Sequence, residues 1–258
     1  MAEAMLQGVL RHGVARAQEI CVGEPVEARR NHLRTKYGVG VTAGNVEASG
    51  NGDVIVLSIK PQQLPDVMAE LAGSLKKEQT AVSIVAGAKM ETLVSGLRHE
   101  KVVRVMPNTP AQIGAGMSLW LAAPAVSQES KEAIAAILRT MGEQLEVTDE
   151  KYMDMATALS ASGPAYVFLF IESLIDAGVY MGMSRDMART LALQTVLGST
   201  QLVRESQKHP ADLRDMVTSP GGTTAEALKV LEDGRFRATV LNAVIAAYEK
   251  SKRLGEQK

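Results

Sequence analysis

The six residues Ser219-Pro220-Gly221-Gly222-Thr223-Thr224 have the types and order needed to hold a small anion. Neither glycine carries a Cβ, so successive backbone N–H groups can turn toward one point. The residues that follow, Ala225-Glu226-Ala227-Leu228, open a helix, which adds unpaired N–H groups and partial positive charge. That combination suits a carboxylate, with the hydroxyls of Ser219, Thr223 and Thr224 near enough to orient the rest of a ligand. A helix capped by Ser or Thr after a tight turn uses the same residues, and the stretch taken alone leaves both readings open.

A second group of candidates lies in the first half. Met106-Pro107-Asn108-Thr109-Pro110 places two prolines around Asn-Thr, which fixes an irregular loop at a strand end, where binding groups gather. Gly23-Glu24-Pro25, Ile59-Lys60-Pro61 and Ala86-Gly87 each follow a strand. An acid at Glu24 would bind a ribose hydroxyl and favour NAD. Arg29 and Arg30, a turn further on, would instead hold a 2′-phosphate, or simply form an exposed helix face. Asn45 reads equally as a turn residue. The four histidines, His12, His32, His99 and His209, have no metal-ligand spacing, so no metal site is expected.

The elements that must position these residues divide the chain in two. Apolar spacing predicts a helix over 2–17, a strand over 19–22, a helix through Lys36 and strands over 39–42 and 53–59. The run 53–59 is continuous and β-branched, the pattern of a strand buried on both faces of a parallel sheet. A helix over 61–75, a strand over 81–85, a helix over 89–97 and a strand over 101–106 follow. A helix capped by Ser127 runs to Met141, and a last strand covers 144–147. Strands alternating with helices at this pitch predict an α/β, Rossmann-like domain over 1–149, with ligands at the carboxyl ends of its strands. Beyond it the strands stop. Helices are expected over 151–159, 164–182, 184–205, 210–217, 223–231 and 236–252, giving an all-helical domain over 150–258 for substrate binding and dimerisation.

With 258 residues the chain can bury a substantial core, and its net charge of −1 gives no footprint for nucleic acid. Aromatic residues make up only 3%, as in closely packed helical proteins rich in Ala and Leu. Cys21 is the single cysteine, which fits a reducing compartment, and no secretory leader is visible, so a cytoplasmic protein is expected. The most apolar stretch, 163–183, contains Glu172 and Asp176 and reads as a buried helix, so no membrane partner is expected.

Three motifs carry a family resemblance. Pro210-x-x-Leu213-x-x-x-Val217-Thr218-Ser219-Pro220-Gly221-Gly222-Thr223-Thr224-x-x-Ala227-Leu228-x-x-Leu231-Glu232 resembles the signature of the pyrroline-5-carboxylate reductases. Arg104-x-Met106-Pro107-Asn108-Thr109-Pro110 and Ser160-x-Ser162-Gly163-Pro164-Ala165-Tyr166 are similar to further runs of that family. The resemblance spans essentially the whole chain and implies reduction of Δ1-pyrroline-5-carboxylate to L-proline, by NADPH with NADH possible. It implies an intertwined homodimer or higher homo-oligomer. It also implies a carboxylate held by the backbone of Gly221, Gly222 and Thr223 beside Ser219, and a catalytic role for Thr224 at the ring nitrogen. Cofactor contacts implied are Ala2, Glu24, Asn45, Ile59, Lys60, Pro61, Ala86, Gly87, Met106, Pro107 and Asn108.

The family opens with a strand and a glycine-rich turn before Asn-Met-Ala-x-Ala, and Met1-Ala2-Glu3-Ala4 matches the tail of that pattern. The resemblance therefore implies a start about a dozen residues late, one strand and its turn. Ala2 would then stand at the last position of the glycine fingerprint, and two strand edges would lack a partner. A catalytically impaired dimeric scaffold and a reductase of another cyclic imine are the alternatives. A hydroxyacid dehydrogenase of the same plan would need a Lys or His on the helix 164–182, which has neither.

Overall fold

The computed structural model describes residues 1–50 and 52–256, which form two compact units: Met1–Ser162 with the chain from Ala247 onward, and Gly163–Ala246. In the first unit the chain runs α1 (Ala2–Arg11), β1 (Cys21–Gly23), α2 (Glu27–Tyr37), β2 (Gly40–Thr42), α3 (Asn45–Ser49), β3 (Val54–Leu57), α4 (Leu64–Leu71), β4 (Thr80–Ser83) and α5 (Met90–Leu97). It continues through β5 (Val102–Pro107), β6 (Gly116–Ala122), α6 (Gln128–Arg139), β7 (Gly142–Glu146) and α7 (Lys151–Ala156). One turn widened to π geometry, Thr157–Ala161, ends the run, with the Ser162 N–H reaching the Thr157 carbonyl at 2.9 Å.

Five strands form a sheet in the order β3-β4-β5-β6-β7, parallel except for the antiparallel β5–β6 pair. β1 and β2 pair in parallel as a separate ribbon. Among the described residues β1 and β3 are edge strands, each with a neighbour on one side only. The position of β3 also corrects the expectation that 53–59 is buried on both faces. As an edge strand it leaves Val54, Ile55 and Val56 half-exposed, and only Leu57 is buried.

The centre of the sheet is β5, all six of whose residues are buried. Its side chains alternate between faces. Val103 and Val105 meet Met5 and Val9 of α1, Trp120 of β6, and Ile134 and Leu138 of α6. Val102 faces Leu64, Met68 and Leu71 of α4 with Leu93 and Leu97 of α5. Met106 packs with Leu119, Leu121 and Met153. The Ser127 cap of α6 is present, its Oγ accepting the Ser130 N–H at 3.2 Å.

Several boundaries moved for local reasons. The expected helix 2–17 stops at Arg11, because His12-Gly13 turns the chain and only a short 3-10 turn forms at Ala17–Glu19. Pro61–Gln63 makes its own 3-10 turn before α4. β6 carries a weak sequence signal: Met117, Leu119 and Leu121 lack the β-branching that marks a strand, and Trp120 is its one large strand-favouring residue. The first compact unit runs on to Ser162, since α7 packs on β6 and Ser251 Oγ donates to Asp154 Oδ1 at 2.6 Å.

The second unit is helical: α8 (Gly163–Tyr180), α9 (Arg185–Ser206), α10 (Pro210–Met216), α11 (Thr223–Asp233) and the first part of α12 (Phe236–Glu256). It corrects the reading of 163–183 as a buried helix. Along α8 only Gly178 is buried, while Phe168 is 60% and Leu169 66% exposed. A unit of so few helices has no interior large enough to cover their apolar sides.

Two stability measurements follow. Trp120 is the single tryptophan and is buried, so its fluorescence reports unfolding of the first unit. Leu138→Ala, at a site 1% exposed, is expected to lower stability by about 2–5 kcal/mol in urea unfolding followed at Trp120.

Candidate active site

The sequence-predicted cofactor residues fall at strand ends. Glu24 follows β1, Asn45 follows β2, Ile59-Lys60-Pro61 follows β3, Ala86-Gly87 follows β4, and Met106-Pro107-Asn108 closes β5. Ala2 is the first residue of α1. Glu24, Asn45, Ile59-Lys60-Pro61 and Ala86-Gly87 are put there by one rule: a parallel strand ends, and the chain must turn before the next helix.

The loop after β5 is held by Asn108. Its Oδ1 accepts the Met117 N–H at 2.8 Å, and its Nδ2 donates to the carbonyl and hydroxyl oxygens of Ser160, both at 3.3 Å. The side chain thus binds β5 to the start of β6 and to the π turn, while Met106 itself is buried among Leu119, Leu121 and Met153. Two residues upstream of Met106, the buried Arg104 guanidinium pairs with Glu150, whose Oε1 also accepts the Met90 N–H at 2.6 Å. Gly87 has φ +77°, which only a residue without a Cβ adopts at no cost. Ala86 beside it is exposed.

The other candidates are partly engaged within the protein. Glu24 Oε1 accepts the Val26 N–H at 2.9 Å at the start of α2, and its carbonyl accepts from Arg30 Nη1 at 2.8 Å. Arg30 is therefore spent on the backbone of Glu24 and Pro25, not on an exposed anion site. Asn45 gives both its backbone N–H (3.0 Å) and its Nδ2 (2.6 Å) to Glu70, and this amide holds the Glu70 carboxyl below its ordinary pKa. Lys60 is exposed and begins the turn at Pro61.

One cluster escaped the sequence reading. Glu3 of α1 reaches α2, where Tyr37 OH donates to its Oε1 at 2.7 Å, Lys36 Nζ donates at 3.1 Å, His32 Nε2 lies 3.1 Å away, and Arg29 Nη2 pairs with Oε2. Arg29, His32 and Lys36 recur at helical spacing on one side of α2, a signal visible in the sequence had Glu3 been known to lie opposite. Hydrogen bonds from Tyr37 first, then His32 and Arg29, hold the Glu3 carboxyl well below the usual carboxylate range. Around it Ala2, Ala4, Ser58, Gln112, Arg29 and Lys36 line a polar pocket of about 480 Å³. Ala2, Glu3 and Ala4, the first turn of α1, bring the N-terminal end of that helix to this pocket. Small residues, a helix start and two cations fit the phosphates of a dinucleotide.

In the second unit the capped-helix alternative fails. The N-cap of α11 is Gly222, with no side-chain cap. Gly221 has φ +67°, in the left-handed region, which lets the turn close with the Gly222 N–H on the Ser219 carbonyl at 3.0 Å. That bond occupies the Gly222 N–H. Among the described residues the backbone N–H groups of Gly221, Thr223 and Thr224, and the hydroxyls of Ser219, Thr223 and Thr224, have no hydrogen-bond partner.

A sheet with its loops at parallel strand ends, a polar pocket at the first helix and a separate helical unit define a dinucleotide-dependent oxidoreductase. Comparisons with known proteins agree. Residues 1–87 match the model described as NADP oxidoreductase coenzyme F420-dependent, and residues 150–254 match pyrroline-5-carboxylate reductase dimerisation. The chain is 43% identical to the pyrroline-5-carboxylate reductase of Synechocystis, over 100% of this chain and 96% of the relative. It is 38% identical to that of Escherichia coli, over 99% and 95%. Among solved structures, the Plasmodium falciparum pyrroline carboxylate reductase with NADP bound aligns at TM-score 0.89 and 35% identity, over 98% of this chain and 94% of that one. The chain belongs to the pyrroline-5-carboxylate reductase family. The continuous helical run Lys151–Tyr180 would pass for a membrane span by length and composition, but it lies in the part matched to dimerisation.

Two tests follow from the ion pairs. Glu3 has a folded-state pKa below its unfolded value, so its stabilisation is full above about pH 4.3 and is lost as pH falls below that. Acid unfolding profiles of the wild type and Glu3→Gln should converge toward low pH, with the variant less stable near neutrality. At β5, Glu150→Ala strands a buried guanidinium and is expected to cost about 3 kcal/mol, whereas Arg104→Met leaves a carboxylate that is 39% exposed and should cost under about 1.5 kcal/mol.

Proposed function

We propose that the protein reduces Δ1-pyrroline-5-carboxylate to L-proline with a nicotinamide dinucleotide, and that it prefers NADPH. The observation that carries this reading is the uncapped start of α11, whose free N–H groups and free hydroxyls form a ready acceptor for a small cyclic carboxylate.

The chain's own residues divide the work. The N–H groups of Gly221, Thr223 and Thr224 hold the substrate carboxylate at the positive end of α11. Gly222 contributes conformation, since its N–H closes the turn on Ser219. The Thr224 hydroxyl, free of internal partners, hydrogen-bonds the ring nitrogen and so fixes which face of the C=N bond is presented. A Thr hydroxyl is too weak an acid to be the final proton source, so the substrate enters as the iminium or takes a proton relayed from water. The cofactor supplies hydride when bound. Met106, Pro107, Ala86, Gly87 and the strand-end loops around them would hold it, because hydride transfer is chiefly a problem of position.

The preference for NADPH is supported by the engagement of the Glu24 carboxylate with the start of α2, while Arg29 and Lys36 bring positive charge to the pocket at α1. The working assembly is a homodimer, a reading supported by the exposed apolar residues Phe168, Leu169, Leu191, Leu197 and Leu241 of the helical unit.

Steady-state kinetics of the Thr224 series test the reading. Thr224→Ala should lower kcat about 10- to 100-fold, the worth of one hydrogen bond to a charged group, and Thr224→Ser should keep most of it. An unchanged kcat in Thr224→Ala would sink the assigned role.

A further inference from the structure

The four donors around Glu3 already hold an oxyanion. Two of them, Arg29 and Lys36, carry fixed positive charge, and Tyr37 and His32 complete the set. The anion they hold is the protein's own carboxylate, on the first turn of α1, at a pocket that also contains Ala2 and Ser58. A ligand phosphate in that pocket needs the same guanidinium and ammonium groups, and it meets Glu3 as a like charge. The cluster is thus poised between an internal anion and an external one.

We propose that Glu3 is a specificity-determining residue: its carboxylate competes with a phosphate monoester on the adenosine ribose of the dinucleotide for Arg29, His32, Lys36 and Tyr37. The inference rests on the reading of the pocket at α1 as the dinucleotide site. It assigns Glu3 its larger effect on the 2′-phosphorylated nucleotide, because a ribose with free hydroxyls leaves only the 5′-phosphate to meet the pocket. Glu3 thereby limits how far the site can favour a 2′-phosphate.

Titration calorimetry with two fragments tests this without turnover. 2′,5′-ADP carries the ribose phosphate, and 5′-AMP does not. Glu3→Gln, which keeps the shape and removes the charge, should tighten 2′,5′-ADP by about tenfold, the order expected for one nearby charge, and leave 5′-AMP within about twofold. Lys36→Met should weaken 2′,5′-ADP and leave 5′-AMP unchanged, which gives an independent arm if Glu3→Gln folds poorly. Equal shifts for both fragments, no shift, or weaker 2′,5′-ADP binding in Glu3→Gln would overturn the competition while leaving the nucleotide site intact. Failure of the wild type to bind either fragment would overturn the dinucleotide reading itself, and the proposal with it.

Discussion

A guanidinium buried in the middle of the central strand has to be neutralised, and much of the first unit is arranged around that need. Arg104 sits between Val103 and Val105 on β5, with its side chain 6% exposed. Its partner Glu150 stands just before α7 and also takes the first N–H of α5. One carboxylate therefore fixes three elements. The loops meant for a cofactor hang from the same anchor: Ala86-Gly87 lies shortly before Met90, and Met106-Pro107-Asn108 begins two residues after Arg104. Such a pair adds little net stability over apolar packing, but it penalises any arrangement that separates the charges. Asn108 extends the bracing by bonding β6 and the π turn at once.

The protein presents two helix starts to anions, and they differ in one respect. The start of α11 is uncapped and its neighbouring hydroxyls are idle, so a ligand carboxylate meets donors that owe nothing to the fold. The start of α1 is shared with Glu3, which draws the cations of α2 onto itself. The first arrangement suits an obligatory substrate group. The second suits a group that distinguishes one cofactor from another.

Much of this was legible in the sequence where local signals and the fold agree. The helices of the second half stood within a few residues of their expected bounds, since Ser184 and Pro210 mark starts that the structure keeps. The Gly-Gly turn was legible too, although not the use of the Gly222 N–H inside it. What the sequence hid depends on tertiary pairing. β6 has unbranched residues and is a strand because β5 and β7 flank it. Val54–Leu57 reads as a central strand and is an edge, since edge status is decided by neighbours absent from its own pattern. Glu3 and Arg29, 26 residues apart, became a site only when α1 and α2 were laid side by side.

The most direct test of the account is the fate of hydride. The protein would be incubated with Δ1-pyrroline-5-carboxylate and NADPH deuterated at the transferring position, and the product read by mass spectrometry and NMR. The account predicts L-proline carrying one deuterium on the ring carbon bonded to nitrogen that began as the C=N carbon. Oxidation of the cofactor without labelled proline, or no oxidation dependent on the imine, would contradict it.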